Sequence, residues 1–241
     1  MKMTIMLILS QILIFGSVQK NNFLDWGAVL KSNVDKNGLV NYQGIKADKM
    51  FEKSLKIFEN TNIDSLDKNE KLSFLINAYN AFVIKNVLEH KNINSPLDDK
   101  NFFKSKKFKL DGKILSLDEI EHNYVLKIEP ALSHFGLVCG AISCPKLIPK
   151  AYTADNVISQ LKINTIEFIN NKNKNYLDRK NKILYLSQIF NWFRKYFEYN
   201  NGSVKKFVLK YISSKDKEFI LKNNIIIKYI KYDWKLNSQN K

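Results

Sequence analysis

The chain has 241 residues, 45% of them hydrophobic, with only 8 Gly and 4 Pro. That apolar share supports a packed core and excludes a disordered tail or a linker-rich array, so a single globular domain is expected. The formal net charge is +16, from 39 Lys+Arg against 23 Asp+Glu, yet arginine stands only at Arg179 and Arg194. Lysines interleaved with asparagine along the whole chain lack the bidentate forks of a nucleic-acid reader. They read as a solvated surface, and no specific nucleic-acid partner is expected.

The first residues read as a targeting segment. Lys2 gives a positive start, and Met3 to Phe15 is an apolar run too short to span a bilayer comfortably. Gly16, Ser17 and Val18 are small enough for cleavage nearby, so residues 1–18 are expected to be a secretory signal peptide ahead of a domain over 19–241. The expected location is periplasmic or extracellular, with no stable membrane span after cleavage. Export would place Cys139 and Cys144 where a disulfide can form. The loop between them is short, so such a bond would be a local clip rather than a staple for the fold.

Residues 23–34 suit a short helix with Phe23, Trp26, Val29 and Leu30 on one side. Lys36-Asn37-Gly38 reads as a turn into a short strand, and residues 48–59 have helical spacing. Residues 67–90 carry the strongest helical pattern, with Asp67 and Glu70 placed as a capping box. Asn77 and Asn80 sit inside it among apolar neighbours, either bonded to nearby backbone or orienting a bound or reacting group. His90 closes this helix, where the dipole favours it. Asp111-Gly112 between FKL and KIL predicts a hairpin, and Ser116 with Glu119 predicts a second capping box. HFGLVCG (134–140) reads as a buried strand, with Phe135, Leu137 and Cys139 on one side and His134 on the other. Residues 153–170 suit a helix capped by Thr153, KILYLS a strand, QIFNWFRKYFEY an aromatic helix, 204–212 a short helix, and NIIIKYIKYDWKLN a strand with a hairpin-like tail. The fold class that follows is α+β: a mostly helical single domain around a small central sheet built from 108–115, 134–139, 182–186 and 225–233.

Chemistry concentrates in Ser116 to Pro145, which holds both cysteines, His122, His134, Glu119 and Glu121. Cys139 ends the predicted strand and is followed by Gly140, which lets a ligand or a backbone amide approach closely. A nucleophilic cysteine needs a neighbouring imidazole and a group to orient that imidazole. Cys139, His122 and Glu121 are the candidate catalytic set, Asn77, Asn80 and His134 the candidate substrate contacts, and Cys144 a disulfide partner or resolving thiol. A metal site drawn from His122, His134, Cys139, Cys144 and Glu121 matches no familiar zinc spacing. There is no P-loop and no GxGxxG, and no cofactor is expected.

Trp26 with VDKNGLVNY, FLINAYNAF, SLDEIEH, HFGLVCGAISCPKL, AYT, LSQIFNWF and YDWKLN together resemble the DUF547 family, a domain of unknown function. The resemblance runs from about Trp26 to Asn237. The family tends to carry an arginine just before the histidine of HFGLVCG; here that position is Ser133, so no anion-binding arginine is implied. The resemblance brings no reaction with it. It implies export in bacteria and, from related plant domains that follow coiled coils, a binding role as readily as an enzymatic one. The expected function is therefore a thiol-dependent hydrolase or transferase using a Cys-His pair, or a non-catalytic binding or scaffold domain with Cys139 and Cys144 as a clip. The partner is an unidentified small molecule, peptide or protein.

Overall fold

The computed structural model describes residues 23–105 and 107–239, so the expected signal peptide lies outside the described residues. The helices are α1 Leu24–Asn33, α2 Tyr42–Lys46, α3 Lys49–Asn60, α4 Lys68–Glu89, α5 Leu117–Ile120, α6 Leu126–Ile128, α7 Val157–Ile169, α8 Ile189–Trp192, α9 Arg194–Tyr199, α10 Val204–Val208 and α11 Ser214–Lys222. The strands are β1 Phe108–Leu110, β2 Lys113–Leu115, β3 Tyr176–Asp178, β4 Ile183–Leu186 and β5 Ile226–Tyr229. The architecture is α+β and mostly helical, as expected. No described helix is long and apolar enough to cross a membrane.

Helix α4 is the axis of the core. Its start is fixed by the predicted capping box: Asp67 accepts from the Asn69 and Glu70 amides, and Glu70 accepts from the Asp67 amide. Every residue from Leu72 to Ile84 is buried, so the helix is enclosed on all sides rather than along one stripe. Its Phe74 and Phe82 pack edge-on against Phe58, and Phe82 stacks on Phe108, at centroid distances of 5.0–6.4 Å. His90 closes α4 as expected, with Nδ1 2.7 Å from the Asn86 carbonyl and Nε2 3.0 Å from Asp99.

The central sheet is not formed. The hairpin β1–β2 is a 2-stranded sheet of its own, turned by Asp111 and Gly112 at φ 51° and 72°, as the Asp-Gly pair predicts. A separate 3-stranded sheet has the order β3-β4-β5, with β4 and β5 parallel and joined through α8–α11. Residues 134–139 belong to neither. Leu132–Phe135 is a 3₁₀ turn, and the chain beyond it is irregular. The reason is a side chain from α4. Asn80 offers the backbone what a neighbouring strand would: its Nδ2 donates to the Gly136 carbonyl at 2.9 Å and its Oδ1 accepts the Val138 amide at 2.9 Å. The predicted alternation of His134 against Cys139 therefore does not apply.

Other boundaries also moved. Asn156, not Thr153, precedes α7, and the Asn156 side chain accepts the Thr153 amide. The predicted aromatic helix breaks at Phe193 into α8 and α9. After β5 the chain runs as an extended strap. Its backbone bonds Val40, Asn94, Gly140, Ile142 and Ser143, while Asn237 accepts the Tyr42 hydroxyl at 2.7 Å.

Candidate functional site

A cavity of ≈ 250 Å³ collects side chains from segments far apart in sequence. Tyr79 comes from α4, Asp118 from α5, Glu121 and His122 from the turn after it, His134 from the 3₁₀ turn, and Leu137 and Cys139 from the irregular segment beyond it. Trp192 and Phe193 end α8, and Tyr232 and Trp234 come from the strap. The lining is mainly aromatic and apolar, with a few convergent polar groups, the usual make-up of a small-ligand site.

The Ser116 capping box starts α5: Ser116 Oγ accepts the Glu119 amide at 3.1 Å, and Glu119 accepts the Ser116 amide at 2.9 Å. The helix then widens into a π-turn over Glu121–Val125 before α6. Such turns are rare and tend to mark functional positions. Glu121 accepts the Tyr79 hydroxyl at 3.1 Å. Burial raises the Glu121 carboxyl above the usual range, with the neighbouring His122 charge pulling the other way. Burial and the Glu121 charge together hold the Tyr79 hydroxyl firmly protonated. His122 is half-buried, with Nδ1 3.1 Å from the Asp118 carbonyl and 3.6 Å from its carboxylate.

His134 is 4% exposed, and its ring lies 4.2 Å from that of Phe193. Burial, with the charge of His122 adding to it, pushes its imidazole down to about 3, so it is neutral at pH 7. Its Nε2 has no hydrogen-bond partner among the described residues. Trp192, Tyr232 and Trp234 pack on one another at 4.7–5.7 Å and form one wall of the cavity.

Cys139 and Cys144 are bonded to one another as a disulfide, with Cα atoms 6.2 Å apart. Gly140, at φ 85°, turns the chain between them, a conformation that suits a residue without Cβ. The Tyr232 hydroxyl lies 3.4 Å from Cys139 Sγ. Cys139 is half-buried and Cys144 is 4% exposed.

The structure thus gathers Cys139, His122, Glu121 and His134 around one space, with Cys144 bonded to Cys139. It does not bring Asn77 or Asn80 there. Asn77 holds both backbone groups of Tyr152, at 2.8 and 3.0 Å, as Asn80 holds Gly136 and Val138, and neither lines the cavity. Their place is structural because an amide buried in a helix needs both its donor and its acceptor used. Tyr79, Trp192, Phe193, Tyr232 and Trp234 were not anticipated as site residues. Tyr79 reads in sequence as one more member of an apolar stripe. The others show only as aromatic residues crowded into FNWF and YDW.

A larger cavity, ≈ 440 Å³, shares Cys144 and Pro145 with the first and is lined by Lys36, Lys146, Lys174 and several asparagines. Lys174 donates to the Cys144 carbonyl, and burial lowers its amine to about 8. Lys146 is paired with Glu167 at 2.6 Å. The smaller cavity holds the imidazoles, the sulfur and the aromatic wall, and it is the better candidate for chemistry or recognition. Among the described residues, no group of three or more His, Cys, Asp or Glu side chains is placed to hold a metal ion.

Residues 63–169 match the family model described as a protein of unknown function, DUF547. The expected resemblance holds over this stretch. No curated protein and no solved structure matches the chain. The DUF547 match contains Tyr79, Glu121, His122, His134 and the disulfide, whereas Trp192, Phe193, Tyr232 and Trp234 lie beyond its end. The segments that follow the DUF547 match therefore complete the cavity wall.

Proposed function

We propose that the chain is an exported ligand-binding domain, with its ligand in the aromatic cavity and the Cys139–Cys144 bond as a clip at the cavity's edge. One observation carries this reading: aromatic side chains from α8 and the strap converge with Tyr79, Glu121 and His134 on one mainly apolar space. Export rests on the apolar run Met3 to Phe15 and its basic start. The tryptophans make a built-in reporter, since Trp192 and Trp234 line the cavity while Trp26 is fully buried in the core. A fluorescence screen of small aromatic compounds should find ligands that shift emission, and Trp192→Ala should weaken them about tenfold while leaving the fold intact. Ligands that bind Trp192→Ala as well as the parent would place the site elsewhere.

A second reading, a thiol-dependent hydrolase or transferase, is favoured because Cys139 lines the same cavity as His122, His134 and Glu121. It requires a dithiol reductant, whose oxidation to its own disulfide would open the Cys139–Cys144 bond. The freed Cys139 thiolate could then attack an acyl carbon, expel the leaving group and be released by water. His134 is a poor base for this, because burial disfavours its charged form. His122, half-buried at the same cavity, is the alternative imidazole. Mild reduction followed by iodoacetamide and peptide mapping checks the idea: Cys139 should alkylate before Cys144. Equal or reversed labelling counts against a reactive Cys139.

A further inference from the structure

The cavity lining combines an aromatic wall with two carboxylates, a set that suits a cation. Trp192, Tyr232 and Trp234 form an aromatic wall of the cavity, and Trp192 is 47% exposed. Rings in a desolvated pocket attract cations through their quadrupoles. The Asp118 and Glu121 carboxylates stand at the helical side of the same space. His134 lines the cavity, and its buried Nε2 is unpartnered among the described residues. A buried polar atom of this kind calls for a partner. The two other basic groups on the lining do not reverse this. Lys104 is exposed, so water screens it, and His122 has its Nδ1 held at the Asp118 carbonyl.

Resting on the binding reading above, we propose that the ligand is an organic cation: an amine or guanidine whose charged end lies between the aromatic wall and Glu121, with an N–H within reach of His134. A cation there would favour the ionised form of Glu121, which otherwise pays for burial. A neutral His134 would accept from it without charge repulsion.

The test compares three probes of one shape, benzylamine, benzyl alcohol and benzoate, by calorimetry and tryptophan fluorescence on the full domain. Benzylamine should bind about tenfold tighter than benzyl alcohol, and benzoate weakest of the three. Glu121→Gln, which keeps an acceptor for Tyr79, should cut the benzylamine affinity about tenfold and leave benzyl alcohol unchanged. Asp118→Asn, at an exposed position, gives a second variant with a smaller loss of about threefold. If benzyl alcohol or benzoate binds as well as benzylamine, the cation class is overturned and the cavity remains a binding site of another kind. If benzylamine binds but neither variant weakens it, the proposed seat at Glu121 is wrong. If no probe perturbs Trp192 and Trp234, both the cation class and the binding reading fall.

Discussion

Asn77 and Asn80 show how one residue type can be read in two ways from sequence and in only one from structure. Each carboxamide spends its donor and its acceptor on backbone in a buried setting, with partners at 2.8–3.0 Å. Replacing either by alanine strands two backbone groups. Asn77→Ala or Asn80→Ala should cost about 2–4 kcal/mol, read from urea unfolding. A variant that kept full stability but lost ligand binding would restore the substrate-contact role. His134 gives a second prediction. Its folded imidazole titrates at about 3 against 6.5 when unfolded. Between those values the unfolded chain binds more protons, so the stability His134 contributes is full above pH 6.5 and is lost as pH falls toward 3. The loss amounts to about 3–5 kcal/mol over that window. Glu121 acts in the opposite sense: its raised carboxyl favours the fold below the ordinary carboxylate range and costs stability as pH rises through its folded value. The difference between the parent and His134→Gln isolates the histidine. Unfolding midpoints at pH 7 and pH 4.5 should fall less in the variant, and equal slopes would show that His134 is not buried neutral.

At the scale of elements, the capped helices and the Asp-Gly hairpin were legible because their signals are local. Asp67 with Glu70, Ser116 with Glu119, and Asp111-Gly112 each carry their own partner a few residues away. HFGLVCG misled because strand-like alternation is satisfied by any buried extended segment, and the partner that replaced a strand is a side chain fifty-odd residues earlier, Asn80. The strap was the least legible element. It is short, and its bonds reach back to Val40, Asn94 and Gly140. Its anchor is Asn237, whose side chain accepts the Tyr42 hydroxyl at 2.7 Å and donates to the Gly38 carbonyl at 3.3 Å. Asn237→Ala keeps the strap's backbone bonds but leaves the buried Tyr42 hydroxyl without this acceptor, at a cost of about 1–3 kcal/mol. Because the same strap carries Tyr232 and Trp234, the variant should also weaken any cavity ligand. Melting with and without ligand measures both, and an unchanged melting temperature would mean that the strap is held by its backbone alone.

For the whole molecule, the question is how far the fold depends on the Cys139–Cys144 bond. The bond links residues at a sequence separation of 5. In the chain-entropy account so short a loop contributes about 2 kcal/mol. The core is continuous around α4, from Trp26 and Phe58 to Phe135 and Phe190, and the bond lies at its margin, with Cys144 buried in it and the partly buried Cys139 packed against it. The 139–144 loop is also held by other means: Ile142 and Ser143 bond the strap, Gly140 accepts from Asn237, and Lys174 bonds the Cys144 carbonyl. Cys139→Ser with Cys144→Ser should therefore leave a folded protein with unchanged far-ultraviolet circular dichroism and a stability loss near 2 kcal/mol. On the binding reading, this double variant keeps its ligand within a few-fold of the parent. On the thiol reading, it loses turnover completely, and Cys144→Ser alone, with Cys139 free, is active without a reductant. A double variant that fails to fold would contradict both, because it would make the clip a determinant of the core rather than an edge of the cavity.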